Sequence, residues 1–294
     1  MLLLLGLVGS LTNEETVFRL AAAYVSMSCM TCLQDLSLSQ LPLEVDLGAV
    51  ASWLPLGLTS LSLAFDEEYQ DRAEHSLQHL GALSALQRLR VSGCLTGRQA
   101  LPPSLSTLTW LDLSGNYHCE WDVSLEFSFA GATALQHLDL SESRLVAWPE
   151  GLSELQALTH LNMLGCLDDG EASSEAVLPS RLESLALGVL CECDEHTLLP
   201  LPSLTHLTAM RHLQCRRCEH EPVLKALPLL RGISSLDLSC CYFDELDELP
   251  LQNLPALEVL NLQDCQLGTA PQGLMACTRP TKLELSPNPL GCKT

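Results

Sequence analysis

The stretch Leu108-Thr109-Trp110-Leu111-Asp112-Leu113-Ser114-Gly115-Asn116 alternates apolar and polar residues at its centre and closes on an asparagine. Alternation with a period of two sends Leu111 and Leu113 to one side of a short strand, and Trp110 and Asp112 to the other. So short a strand cannot bury its apolar side by itself. The asparagine, three residues past the last leucine, can satisfy backbone groups where the chain turns out of the strand. The unit therefore needs neighbours of its own kind.

The chain supplies them. The same spacing appears at Leu33-Gln-Asp-Leu36-Ser-Leu38, Leu58-Thr-Ser-Leu61-Ser-Leu63 and Leu86-Gln-Arg-Leu89-Arg-Val91 before the quoted stretch. After it, copies begin at Leu135, Leu158, Leu182, Leu204, Ile233 and Leu257, and the last is Pro280-Thr-Lys-Leu283-Glu-Leu285, which makes eleven copies whose starts differ by 22 to 29 residues. Several carry Asn or Cys three residues beyond the last apolar position: Cys94, Asn116, Cys166, Cys241, Cys265 and Asn288.

This pattern resembles the leucine-rich repeat, L-x-x-L-x-L-x-x-N/C-x-L, over about residues 33 to 290. The resemblance implies an α/β leucine-rich-repeat solenoid, or horseshoe, with a parallel β-sheet of eleven strands on the concave face and helices and loops on the convex face. Residues 33–294 form the repeat domain on this reading. Residues 1–32 form an N-terminal segment in which Thr12-Asn13-Glu14-Glu15 fits a capping box and Val17, Leu20, Ala21 and Tyr24 share a helix face, so a capping helix is expected. Convex helices are expected too, as over Asp66 to Leu83, where Tyr69, Ala73, Leu77 and Leu80 recur at helical spacing. No cap is visible in Asn288-Pro-Leu-Gly-Cys-Lys-Thr294, which suggests an open terminal repeat or a fragment of a longer protein.

Composition narrows the functions. Hydrophobic residues make up 47% of the chain but aromatics only 4%, so a large aromatic-lined cofactor pocket is not expected, and no cofactor is assigned. The net charge of −21 repels phosphate backbones and argues against nucleic acid as a partner. No apolar run reaches the ~18 residues of a membrane span. Met1 to Val8 is apolar like the centre of a signal peptide, yet no Lys or Arg precedes it and Glu14 and Glu15 follow. No asparagine heads a glycosylation sequon, and the fourteen cysteines are scattered rather than dense. A cytoplasmic, reducing location is expected.

One segment could ligate a metal. His212-Leu-Gln-Cys215-Arg-Arg-Cys218-Glu-His220-Glu221 falls in the longest gap between copies and offers His212, Cys215, Cys218 and His220 as zinc ligands, with Cys191 and Cys193 nearby. The spacing from Cys218 to His220 does not match the usual zinc-finger pattern. The favoured reading is an irregular convex loop with free thiols and solvent-facing Arg216 and Arg217, and no metal site is assigned. Cys29 and Cys32 lack the strand-then-helix context of a redox pair.

The alignment of copies also assigns an outward face. Ahead of the second apolar residue stand Asp35, Ser60, Arg88, Trp110, His137, His160, Ser184, His206, Ser235, Val259 and Lys282. Between the second and third stand Ser37, Ser62, Arg90, Asp112, Asp139, Asn162, Ala186, Thr208, Asp237, Asn261 and Glu284. The two columns adjoin on one face. A tryptophan flanked by hydrogen-bonding groups has the composition of an interface hot spot, so Arg88, Arg90, Trp110, Asp112, His137, Asp139, His160, Asn162 and His206 are the candidate partner-binding residues.

No G-x-S-x-G elbow, phosphate-binding loop or H-E-x-x-H motif is present, so catalysis is not expected. The resemblance implies a non-enzymatic module that recognises a partner protein across the concave sheet, as adaptors, scaffolds (those of cytoskeleton and cilia included) and regulatory subunits of this family do. A secreted or cell-surface ligand-binding ectodomain is the alternative, and a zinc-dependent regulator a third reading.

Overall fold

The computed structural model describes residues 28–41, 46–65, 75–116, 125–167, 176–189, 198–241, 249–277 and 279–290. The expected N-terminal capping helix lies outside these residues, as do Tyr69, Ala73, Cys191 and Cys193. The repeats cluster into two compact units, one of residues Met1–Asp139 with Pro149–Ala157 and one of Leu140–Trp148 with Leu158–Thr294.

The first unit holds β1 (Asp35–Leu41), β2 (Ser60–Phe65), β3 (Arg88–Ser92), β4 (Gly97–Ala100), β5 (Trp110–Asp112), β6 (Leu125–Ser128) and β7 (His137–Asp139). The second holds β8 (His160–Leu164), β9 (Ser184–Gly188), β10 (His212–Arg216), β11 (Ser235–Asp237), β12 (Val259–Asn261) and β13 (Lys282–Glu284). Eleven of these make up the main sheet, in the order β1-β2-β3-β5-β7-β8-β9-β10-β11-β12-β13. The expected eleven-stranded sheet is therefore present, with its strands in chain order.

Register follows the leucines. Leu36, Leu61, Leu89, Leu111 and Leu138 are paired in succession across the first unit, and Leu161, Leu185, Leu213, Leu236, Leu260 and Leu283 across the second. A slip of one residue would turn every leucine outward, so burial fixes the pairing. All but Leu283 are buried. Each strand thus covers the apolar side of the next, which no single repeat could do.

One copy corrects the sequence reading. The strand of the eighth repeat is β10, built on Met210-x-x-Leu213-x-Cys215-x-x-Cys218, not on Leu204-x-x-Leu207. Both stretches fit the apolar template, and Leu204, Leu207, Met210, Leu213 and Cys215 are all buried. The neighbours decide between them. From Met210 to Ile233 is 23 residues, close to the steps that follow, whereas the Leu204 segment closes turns in which Leu207 N–H donates to the Leu204 carbonyl and Met210 N–H to that of Leu207. The supposed insertion is therefore an ordinary strand.

Return segments are more extended than expected. Among the described residues the α-helices are α1 (Leu47–Trp53), capped by the Asp46 carboxylate accepting from Ala49 N–H at 3.3 Å, and α2 (Glu221–Ala226). Leu77 and Leu80 of the helical pattern over Asp66 to Leu83 are buried in a 3-10 helix, Leu77–Ala82, rather than an α-helix. In the first unit β4 and β6 form a small second parallel sheet, joined by an isolated bridge from Ser128 to Glu150. Arg98 of β4 donates to both Glu150 carboxylate oxygens, at 3.1 and 2.9 Å. No helix among the described residues is long and apolar enough to cross a membrane.

The strand exits show why Asn or Cys recurs. Asn116 Oδ1 accepts from the N–H groups of Cys94 and Leu95 at 3.1 and 3.0 Å, and its Nδ2 donates to the carbonyls of Val91 and Leu113 at 2.9 and 2.7 Å. Asn288 repeats the arrangement on Cys265, Leu267, Leu262 and Leu285. Where cysteine stands instead, a thiol donates to one carbonyl: Cys166 to Met163, Cys241 to Cys215 and Cys265 to Leu238. Asn116→Ala removes all four of these hydrogen bonds from the strand exit, so denaturant unfolding is expected to show a loss of about 3 kcal/mol or more. Asn116→Cys, which keeps one donor, is expected to lose less; equal stability of all three proteins would refute this role.

Candidate functional site

With the inward columns consumed by the core, the outward residues of the strands are left to meet other molecules. In the first unit Arg88 is paired with Trp110 and Trp110 with His137, on three successive strands. Their side chains form one stacked row. The Arg88 guanidinium lies 4.8 Å from the Trp110 ring centroid, and the Trp110 and His137 rings are 5.4 Å apart at an interplanar angle of 12°. A guanidinium over the indole face is a cation–π contact, and it holds a flexible side chain flat while leaving its N–H edges directed sideways.

The second row of this face is Arg90, Asp112 and Asp139. Arg90 Nε lies 3.5 Å from Asp112 Oδ2, a partly exposed pair that contributes little to stability. Asp112 has another task. Its Oδ1 accepts from Ser114 N–H at 2.9 Å and Ser114 Oγ at 2.6 Å, closing the chain as it leaves β5. Asn162, Asp237 and Asn261 do the same for Leu164, Ser239 and Gln263. This column of Asp and Asn thus serves strand exits, as short side chains that bond two residues ahead commonly do. The column before the second leucine holds Arg88, Trp110 and His137 in β3, β5 and β7.

In the second unit His160 and Asn162 stand at the same two positions on β8. His160 Nδ1 is 2.8 Å from Thr159 Oγ1. His206 is not on a strand: it lies in the turn segment ahead of β10, where its Nε2 contacts the Leu178 carbonyl at 2.9 Å. His212 and Gln214 take the outward positions of this repeat instead, with Ser184 and Ala186 on one side and Ser235 and Asp237 on the other. The signal for them was available in Met210-x-x-Leu213-x-Cys215, once Met and Cys are accepted in leucine positions.

The four potential zinc ligands are not brought together. Strand alternation turns His212 outward and Cys215 into the core, while His220 precedes α2. Cys218 occupies the Asn/Cys position and Arg216 and Arg217 are half-buried, so the segment is not the solvent-facing loop expected. Among the described residues no group of three His, Cys, Asp or Glu side chains could hold a metal ion.

Burial pushes the Cys218 thiol well up, reinforced by its hydrogen bond to Cys215. It also raises Cys94 and Cys241, and pushes Cys265 from its ordinary value of 9.0 up to about 12. The folded chain therefore binds these protons more tightly than the unfolded chain. Their contribution to stability is complete below pH 9 and is lost as pH climbs toward 12. Two outcomes follow: the unfolding midpoint falls over this interval, and a thiol reagent at pH 8 labels the exposed Cys29 and Cys32 but not Cys94, Cys218 or Cys241 until denaturant is added. Labelling of the buried three in the native protein would contradict the packing.

No protein-family model and no curated relative matches the sequence. Among solved structures the chain is similar to an internalin, InlF of Listeria monocytogenes, with a TM-score of 0.58 and 16% identity over 91% of this chain and 69% of that one. It is similar to the leucine-rich repeat domain of the type III effector XopL, with a TM-score of 0.55 and 17% identity over 98% and 88%. It is also similar to TLR13 in a complex with single-stranded RNA, with a TM-score of 0.54 and 20% identity over 92% of this chain but only 42% of that one. At these identities the likeness shows the fold alone.

Proposed function

From the premise that this chain is a leucine-rich-repeat protein in fold, we propose that it is a non-enzymatic recognition module, an adaptor, scaffold or regulatory subunit, that binds a partner protein on the outward face of its strands. The single observation that carries this reading is the Arg88–Trp110–His137 row. A half-buried indole clamped between a guanidinium and an imidazole has lost most of its side-chain freedom before any partner arrives. Little ordering entropy then remains to oppose binding, and Trp and Arg are the side chains most enriched at interface hot spots. In this reading the row on the first unit carries the contact, and His160 and Asn162 of the second unit contribute less to it. A reducing, cytoplasmic location suits the reading, because the ten described cysteines stand outside disulfides and the thiols of Cys166, Cys241 and Cys265 donate to backbone carbonyls.

The test is capture from native cells with the wild-type chain and two variants of equal thermal stability, Trp110→Ala and His160→Ala. A protein whose apparent affinity falls about thirtyfold or more with Trp110→Ala, and little with His160→Ala, is the expected result. Recovery unaffected by Trp110→Ala would overturn the site, and recovery abolished by ribonuclease would replace the protein partner with RNA.

A further inference from the structure

Charge on the outward face of the first unit is spent unevenly. Arg90, Arg98 and Arg211 each have a carboxylate within ion-pair distance, those of Asp112, Glu150 and Glu183. Arg88, exposed on β3, has none among the described residues, and its guanidinium lies over the Trp110 ring instead. A ring face attracts a guanidinium through its π electrons and accepts none of its five N–H groups in the plane, so the fork is left to water. In a chain with 15 Lys and Arg against 36 Asp and Glu, an exposed cation held in place without a counter-ion is a preformed receptor for an anion.

Given the recognition role proposed above, on which this step rests, we propose that the row receives a Glu or Asp side chain of the partner protein, its carboxylate bridging the Arg88 fork. The charges nearby choose the occupant. Arg90 and Asp112 offset one another, so Arg88 leaves one positive charge on this part of the face. Two further acids flank it, Asp35 and Asp139, each two strands away, or about 10 Å at the usual strand spacing. A single carboxylate cancels the charge of Arg88. A phosphate, with nearly two negative charges, leaves an excess that Asp35, Asp139 and the net charge of −21 all repel, so a phosphorylated segment fits less well. Geometry agrees with charge: a planar guanidinium meets a planar carboxylate through two parallel hydrogen bonds, and stacking on Trp110 has already removed much of the freedom the arginine would otherwise lose.

The probe is a phage-displayed library of short random peptides, selected in parallel on the full chain and on its Trp110→Ala variant. Peptides enriched on the wild type alone are expected to share one Glu or Asp at a fixed place. One such peptide, and its counterpart with Gln for Glu or Asn for Asp, are then titrated by calorimetry against the wild type, Arg88→Gln and Arg90→Gln. Losing the carboxylate is expected to weaken binding to the wild type about tenfold or more, but binding to Arg88→Gln less than about threefold, because the cycle isolates the pair. Arg90→Gln should keep the tenfold discrimination, which separates the fork from the general field of the face. Equal discrimination by the wild type and Arg88→Gln would overturn the proposal, as would tighter binding of a peptide with phosphoserine in place of the acid. Enriched peptides that share no acid would overturn it while leaving the recognition role standing. A selection that enriches no peptide on the wild type over Trp110→Ala would overturn both.

Discussion

The structure depends on the inability of a three- to seven-residue strand to bury its own leucines. Leu111 and Leu113 reach zero exposure because β3 and β7 carry Leu89 and Leu138 at the same register, and so on along each unit. Cohesion is therefore a property of adjacent repeats.

Stacking also creates a polar problem at each strand exit, where the chain turns with its amides and carbonyls inside the molecule. Asn116 and Asn288 answer it with four hydrogen bonds each, and cysteine answers it more weakly with a buried, protonated thiol. On the outer face Asp112, Asn162, Asp237 and Asn261 close the same turns from the other side. Core and turns together consume most positions of the repeat. At the position before the second leucine this chain places a tryptophan between arginine and histidine on β3, β5 and β7.

The fold was legible because its signal is redundant: eleven units repeat one template, and an error in one copy leaves the rest standing. That redundancy hid the eighth repeat, where Leu204-x-x-Leu207 imitates the template that Met210-x-x-Leu213-x-Cys215 fulfils. Two apolar stretches six residues apart both end up buried, and only pairing with Leu185 and Leu236 separates them. The placement of Arg88, Trp110 and His137 side by side followed from the alignment, since parallel register carries one column straight across neighbouring strands. Their stacking did not, because ring and guanidinium orientations depend on side-chain torsions that no spacing encodes. The small sheet of β4 and β6 was equally hidden. Gln99 donates to the carbonyls of His75 and Thr96 and accepts from Leu77 N–H, a tertiary network without periodic signature.

The central claim is that each repeat is closed by its neighbour, and residue-resolved amide hydrogen exchange tests it most directly. The account predicts that the N–H groups of Cys94 and Leu95, which donate to Asn116 Oδ1 of the next repeat, exchange as slowly as those of the flanking strands β3 and β5. Fast exchange at Cys94 and Leu95 beside protected strands would contradict it, since the exits would then open independently of the stack.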